Sequence, residues 1–141
     1  MNHIPVLIID DDEIDRYSLT RDLKSTGLPF TIFEKTNGQE ALEFFRDYKN
    51  QKALDPKNFP PAISFLDINM PLLTGHEFLK EFSQLIKDND INSNIVMMFT
   101  SSEKEEDIDK SLSYPFVKDY LIKGKYNKSE LKQKIEQALN I

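Results

Sequence analysis

The chain has 141 residues, no cysteine and two histidines, and its formal net charge of −6 reflects 24 acidic against 18 basic side chains. This length predicts one domain, and the lack of cysteine excludes disulfide frameworks, zinc sites built on thiolates and thiol catalysis. The acidic balance argues against nucleic-acid binding, and no apolar run approaches the roughly 20 residues that cross a bilayer. Because the first residues do not form a signal peptide, we expect a cytoplasmic protein.

The first half of the chain is predicted to form two strand–helix pairs and a long loop. Residues 4–9 are continuously apolar, which is typical of a strand covered on both faces. A helix follows at 13–26, with a buried stripe expected at Ile14, Tyr17, Leu19 and Leu23. A strand at 30–35, a helix at 39–49 and a polar, proline-containing loop at 50–61 complete this half.

The second half continues the alternation of strands and helices. Strands are predicted at 62–66, 94–99 and 116–122. Helices are predicted at 75–88, from about 101 with Ser102 as the N-cap, and at 128–139. Five strands alternating with five helices predict the α/β class, with a doubly wound five-stranded parallel sheet.

Polar residues follow four of the five predicted strands. In an open parallel sheet, ligands bind beyond the carboxyl ends of the strands. The residues found there are Asp10, Asp11 and Asp12, then Asp67 and Asn69, then Thr100, and finally Lys123. Clustered carboxylates oppose each other's ionisation, and a hard cation such as Mg²⁺ removes that conflict. The alternative is that the first three aspartates cap the following helix, which we expect of Asp12 in particular.

Asp67 is the candidate nucleophile of this cluster. A carboxylate can accept a phosphoryl group if a metal, a cation and a hydroxyl hold the phosphoryl oxygens. Lys123 and Thr100 supply the last two. Taken singly, each has an ordinary alternative, a solvated lysine and a strand-end threonine, and it is their shared edge of the sheet that favours a site.

Four motifs together resemble the receiver domain of two-component response regulators. They are LIIDDD at 7–12, FLDINMP at 65–71 with Gly75 downstream, MMFTS at 97–101 and DYLIK at 119–123. The resemblance covers about residues 4–139 and implies a flavodoxin-like (βα)5 receiver fold. It also implies that Asp67 accepts the phosphoryl group and that Mg²⁺ is the cofactor. Asp11 would bind the metal directly, Asp10 mainly through water, and Asn69 through its backbone carbonyl.

The same resemblance implies a conformational switch. Thr100 would be the switch hydroxyl, Lys123 the phosphate-binding lysine, and Tyr120 the aromatic residue that moves inward as Thr100 is drawn to the phosphoryl group. Two features depart from the family pattern. Gly124 follows Lys123 where the family usually has proline, and the loop at 50–61 is longer than is typical.

The implied function is that of a stand-alone receiver filling residues 1–141, without an output domain and without turnover of a substrate. It would take its phosphoryl group from a histidine kinase or a phosphotransfer protein and signal by binding a downstream protein. The expected output surface lies within residues 103–139. Lysines near that surface predict an acidic partner or a homodimer contact, and the alternative is a solvated helix face. Neither nucleic acid nor a membrane is an expected partner.

Two other functions fit part of the sequence. Asp10 and Asp12 resemble the nucleophile motif of haloacid-dehalogenase-like phosphatases, which also use Mg²⁺. Against this, position 14 is isoleucine, the chain leaves no room for a cap domain, and the motif around Asp67 has no explanation. The second alternative is a receiver-fold binding module that works without phosphorylation, and the unusual Gly124 is what favours it.

Overall fold

The computed structural model describes residues 3–89 and 94–141. Within these ranges strands and helices alternate, except that two helices follow β2 where the sequence predicts one at 39–49, so six helices replace the predicted five. The elements are β1 (Ile4–Ile9), α1 (Glu13–Ser25), β2 (Phe30–Lys35), α2 (Gly38–Arg46), α3 (Tyr48–Leu54), β3 (Ile63–Leu66), α4 (Gly75–Asn89), β4 (Ile95–Thr100), α5 (Glu105–Leu112), β5 (Val117–Ile122) and α6 (Lys128–Leu139).

All five strands form one parallel sheet in the order β2-β1-β3-β4-β5. The predicted α/β class and five-stranded parallel sheet are therefore confirmed. The strand order reverses between β1 and β3, which places a crevice at their carboxyl ends. Ile9 of β1 pairs with Leu66 of β3. This register sets the next residues of both strands, Asp10 and Asp67, side by side.

The sheet has an apolar layer on each face. On one face, Leu7 and Ile9 pack with buried residues of α2 and α4, among them Phe45 and Phe78. On the other face, Ile8 and its neighbours pack with buried residues of α1 and α6. Alternate side chains of β1 thus enter opposite layers, as the period of a strand requires. None of the described helices combines the length and apolar character that crossing a bilayer requires.

The predicted loop at 50–61 is wrong in its first part, because α3 occupies Tyr48–Leu54. The side chain of Asp47 accepts hydrogen bonds from the side chains of Asn50 and Gln51, which supports the new helix. The segment is then anchored by Phe59, which is 3% exposed and packs edge-on against Phe44 and Tyr48. Since α3 itself buries no side chain, no apolar period in the sequence marks it.

The predicted buried stripe of α1 is half wrong. Leu19 and Leu23 are fully buried, whereas Ile14 and Tyr17 are 77% and 69% exposed. Residues 19 and 23 lie four apart and share one face of the helix, and this face alone packs on the sheet. Ile14 and Tyr17 lie on the solvent side of α1.

Candidate functional site

Three carboxylates meet at the carboxyl edge of the sheet. Asp10 and Asp67 directly follow the paired strands β1 and β3, and Asp11 follows Asp10. One oxygen of each of these three carboxylates lies within 4.8 Å of one oxygen of each of the other two. Asp10 and Asp67 are buried, while Asp11 is exposed to solvent. Oxygen ligands in this number, two of them buried, fit a hard divalent cation such as Mg²⁺. The predicted cluster is therefore brought together by the fold.

Burial controls the charge of Asp10. The pKa of Asp10 is raised to about 6, mainly by loss of solvent around its carboxyl group and in part by the neighbouring charge of Asp67. The ammonium of Lys123 and the hydrogen bond from the backbone N–H of Asp12 act in the opposite direction. A bound cation would stabilise the ionised form of Asp10.

Lys123 is the basic residue that lies nearest to these acids. Its Nζ lies 2.7 Å from Oδ2 of Asp15, 2.8 Å from Oδ2 of Asp10 and 3.2 Å from Oδ2 of Asp67. The contacts to Asp15 and Asp67 have hydrogen-bond geometry, while the contact to Asp10 is an ion pair. Burial favours the neutral amine, but hydrogen bonds with the carboxylates and their charges outweigh it and raise the pKa of Lys123. Lys123 therefore stays charged.

Asp12 does not join the cluster. Its side chain caps α1 by accepting hydrogen bonds from the backbone N–H groups of Ile14 at 2.8 Å and Asp15 at 3.2 Å. The predicted capping role of Asp12 is confirmed. The cap also fixes the first turn of α1, which carries Asp15 toward Lys123.

The loop after β3 holds Asp67 in place. The backbone N–H of Ile68 donates to Oδ1 of Asp67 at 2.8 Å. Gly75 begins α4, and its N–H donates to the carbonyl of Ile68 at 2.7 Å. A Cβ at Gly75 would collide with the backbone carbonyl of Asp67. Glycine is thus required where α4 presses against the residue that follows β3. Asn69 lies in the same loop with its side chain exposed.

Thr100 and Tyr120 lie on β4 and β5, the two strands that follow β3 in the sheet. Thr100 is fully buried at the end of its strand. The hydroxyl of Tyr120 donates to the backbone carbonyl of Ser102 at 2.9 Å, so Tyr120 is turned toward the loop that leaves β4.

The predicted N-cap at Ser102 is wrong. α5 begins at Glu105, and its N-cap residue, Lys104, makes no side-chain capping bond. The hydroxyl of Ser102 accepts the backbone N–H of Lys104 at 3.3 Å and donates to Oδ2 of Asp107, within α5. The other oxygen of Asp107 lies 2.9 Å from Nε2 of His76, at the start of α4. We call this chain of contacts, formed by His76, Asp107 and Ser102, the His76 bridge.

Asp15 and the His76 bridge were not predicted from the sequence. Asp15 has a local signal, since it lies in the first turn of the helix that directly follows the three aspartates. His76 and Asp107 are 31 residues apart. No spacing rule connects residues on two different helices, so only the fold reveals that contact.

The backbone at Gly124 explains how Lys123 reaches the acids without the usual proline. Gly124 has φ of +77°, and the N–H of Lys125 donates to the carbonyl of Ile122 at 3.0 Å. These features are typical of a type II turn, which needs a residue with positive φ at its third position. Proline is fixed near −65° and cannot take this place.

We expect Gly124→Ala to lower the free energy of unfolding by about 1–2 kcal/mol, because a Cβ disfavours the left-handed region. Gly27 offers a matched control, since its φ is +81° and a Cβ would meet nothing within 4 Å at either glycine. The two alanine variants should therefore lose similar stability in urea denaturation. Gly124→Pro should lose more than either, and a neutral Gly124→Pro would contradict the turn described here.

The lysines near the predicted output surface are partly neutralised within the chain. Nζ of Lys134 lies 2.7 Å from Oδ2 of Asp119, and Lys125 pairs with Glu103. Exposed pairs of this kind contribute little stability, in general about 0–1 kcal/mol. They do reduce the free positive charge on which the expectation of an acidic partner depends.

Comparisons with known proteins concern the family and the fold of the chain. The model of the family described as response regulator receiver domain matches residues 6–136. A two component response regulator from Cytophaga hutchinsonii is 26% identical, with all of both chains covered and a TM-score of 0.82. No curated protein matches this chain.

Two further solved structures share the fold. The receiver domain of the histidine kinase CKI1 from Arabidopsis thaliana, complexed with Mg²⁺ and BeF3⁻, is 21% identical over 99% of this chain and 91% of its own, with a TM-score of 0.75. The chemotaxis protein CheY4 from Vibrio cholerae is 22% identical over 99% of both chains, with a TM-score of 0.68. At these identities the likeness concerns the fold.

Proposed function

The chain belongs to the response regulator receiver domain family, whose model matches residues 6–136, and we propose on that basis that Asp67 accepts a phosphoryl group. The donor would be a histidine kinase or a phosphotransfer protein. A carboxylate oxygen of Asp67 would form a bond to phosphorus as the bond to the donor's leaving group breaks. Hydrolysis of the acyl phosphate by water would return the resting protein.

The position of Asp67 is the observation that carries this proposal. Its carboxylate is buried, one oxygen is held by the N–H of Ile68 at 2.8 Å, and the other lies 3.2 Å from the ammonium of Lys123. The nucleophile is thereby oriented before the donor arrives, which lowers the cost of reaching the transition state. Lys123 is placed to neutralise charge that develops on the phosphoryl oxygens.

Asp10, Asp11 and Asp67 would hold the metal ion, with the backbone carbonyl of Asn69 as a further ligand. This donor set fits Mg²⁺, because it offers oxygen alone and carries more negative charge than Lys123 can balance. Bound Mg²⁺ would supply positive charge to the phosphoryl oxygens. The protein's own part is to orient Asp67 and to keep Lys123 charged beside it.

We infer that Thr100 and Tyr120 carry the state of Asp67 to the surface. Thr100 would contact the phosphoryl group, and Tyr120 would follow it, with its hydroxyl already bound to the carbonyl of Ser102. The surface formed by residues 103–139 would then bind a downstream protein or a second copy of the chain. As a single signalling module, the protein would show no turnover of a substrate.

Specific contacts in the structure argue against the two alternative functions. In the phosphatase interpretation Asp12 is the acid/base residue, but its carboxylate is engaged by two backbone N–H groups at the start of α1. The phosphorylation-independent module depended on the unusual Gly124. The turn at Gly124 nevertheless leaves Lys123 within 3.2 Å of Asp67.

The proposal is tested by the intact mass of the protein after incubation with acetyl phosphate and Mg²⁺. We expect the gain of one phosphoryl group, and we expect none when EDTA removes the metal. If Mg²⁺ binds but neither acetyl phosphate nor a panel of histidine kinases labels the protein, the phosphorylation-independent module becomes the better explanation.

Binding of Mg²⁺ should stabilise the folded protein, because the ion neutralises carboxylates that repel each other only in the folded state. At a concentration ten times the dissociation constant, the gain is about 1.4 kcal/mol, or a few degrees in melting temperature. Asp11→Asn should remove this gain. Glu106→Gln removes the same charge from an exposed position on α5 and should retain the gain in differential scanning fluorimetry. Equal gains in both variants would contradict the ligand role of Asp11.

A further inference from the structure

Asp15 is the carboxylate nearest to the ammonium of Lys123. The distance is 2.7 Å, against 2.8 Å to Asp10 and 3.2 Å to Asp67. Asp15 belongs to the first turn of α1 and lies outside the group of three carboxylates that could hold a metal. The shortest contact of Lys123 thus goes to a residue with no part in the chemistry proposed so far.

The three carboxylates around Lys123 share one ammonium, and a phosphoryl group on Asp67 would compete with them for it. Hydrogen bonds from Nζ go to Asp15 and Asp67, while Asp10 is held by an ion pair. A phosphoryl group on Asp67 would replace the contact with the Asp67 carboxylate and would attract the ammonium more strongly, because it carries more negative charge. The ammonium would then be drawn away from Asp10 or from Asp15.

Burial decides which contact is released. The side chain of Asp10 is 1% exposed, so loss of Lys123 would leave a buried carboxylate without its counter-ion, at high cost. The side chain of Asp15 is 33% exposed. It also borders a groove of about 660 Å³ between α1 and the turn at Gly124. Water can therefore solvate Asp15 once Lys123 has moved away.

We propose that Asp15 is a positioning residue that holds Lys123 in the resting protein and sets how readily Asp67 is phosphorylated. This inference rests on the function proposed for Asp67. Asp15 competes with the phosphoryl group for Lys123, so it slows phosphorylation and speeds the return to the resting state. The negative charge of Asp15 also partly neutralises Lys123. Without Asp15, the positive charge of Lys123 would oppose the binding of a cation beside Asp10 more strongly.

The test measures three quantities for Asp15→Asn, which keeps the shape of the side chain and removes its charge. Phosphorylation by acetyl phosphate should become about twofold to fivefold faster, a range that matches loss of one partly exposed ion pair. Loss of the phosphoryl group should become slower by a similar factor. The affinity of the unphosphorylated protein for Mg²⁺ should fall about threefold, because Lys123 then pairs only with Asp10 and Asp67.

Two further variants separate this role from a merely structural one. Asp22→Asn removes the same charge from α1, at a residue that contacts the hydroxyl of Tyr126 rather than Lys123, and it should match the wild type in all three measurements. Asp15→Glu restores the charge and should return all three toward the wild type. A weakened fold would not make phosphorylation faster and dephosphorylation slower together.

Equal or slower phosphorylation of Asp15→Asn would overturn the role of Asp15, as would equal effects in Asp22→Asn. Failure of the proposed function has a different signature, in which the wild-type protein binds Mg²⁺ but is never labelled. The Mg²⁺ affinities alone then decide the role of Asp15. An affinity that is unchanged or higher in Asp15→Asn would show that Asp15 does not restrain Lys123.

Discussion

Asp67→Asn should gain no phosphoryl group under conditions in which the wild-type protein gains one. The amide is a poor nucleophile, and loss of a nucleophile lowers the rate by at least about 1000-fold. The fold should survive, because the amide oxygen can still accept the N–H of Ile68, which lies 2.8 Å from Oδ1 of Asp67. Removal of one charge from a group of mutually repelling carboxylates also favours the folded state. Intact mass after incubation with acetyl phosphate and Mg²⁺ measures the result.

Asp12→Asn is the matched control for this experiment. Asparagine caps helices as well as aspartate does, so α1 should be unaffected. The variant should be labelled like the wild type, because Asp12 is engaged at the start of α1. Loss of labelling in Asp12→Asn with labelling retained in Asp67→Asn would reverse the assignment. The phosphatase interpretation, in which Asp10 is the nucleophile, would then be the better one.

Gly75→Ala should cause the largest loss of stability among the substitutions considered, at about 3 kcal/mol or more. Its Cβ would overlap the backbone carbonyl of Asp67 and would lie 2.7 Å from the Cα of Ile68. These are backbone atoms, so no side chain can turn aside to make room. Relief of the overlap would require α4 or the loop after β3 to move. Urea denaturation measures the loss, and slower labelling should accompany it because Asp67 lies in that loop.

Gly38→Ala provides a graded comparison. Gly38 also begins a helix, and a Cβ there would lie 2.8 Å from the carbonyl of Leu73 in the loop before α4. The other atoms close to this Cβ belong to the side chain of Leu73, whereas all three nearest atoms at Gly75 are backbone atoms, so we expect a smaller loss. A loss below about 1 kcal/mol for Gly75→Ala would mean that α4 can shift without cost, since the better helix propensity of alanine offsets no more than that.

Most of the candidate site could be predicted because its residues follow strands. Asp10, Asp67, Thr100 and Lys123 each come directly after an apolar run, and the carboxyl ends of parallel strands meet at one edge. The positions of the strands are set by runs of apolar residues, which can be recognised directly in the sequence. The convergence of these residues therefore needed no knowledge of tertiary detail.

Features that depend on packing between helices could not be predicted in this way. Helix α3 buries no side chain, so residues 50–54 carry no apolar helical period. The exposure of Ile14 and Tyr17 depends on which face of α1 meets the sheet. Ser102 has the side chain of an N-cap residue, but α5 begins only at Glu105. Composition alone did not show where that helix starts.

The His76 bridge has a mechanical consequence because Gly75 and His76 are consecutive residues. The first turn of α4 contacts the backbone of Asp67 through Gly75 and contacts α5 through His76 and Asp107. This turn therefore couples the residue at the end of β3 to α5. A displacement at Asp67 would reach α5 through this turn as well as through Thr100 and Tyr120. The two routes converge on Ser102, whose hydroxyl belongs to one and whose carbonyl belongs to the other.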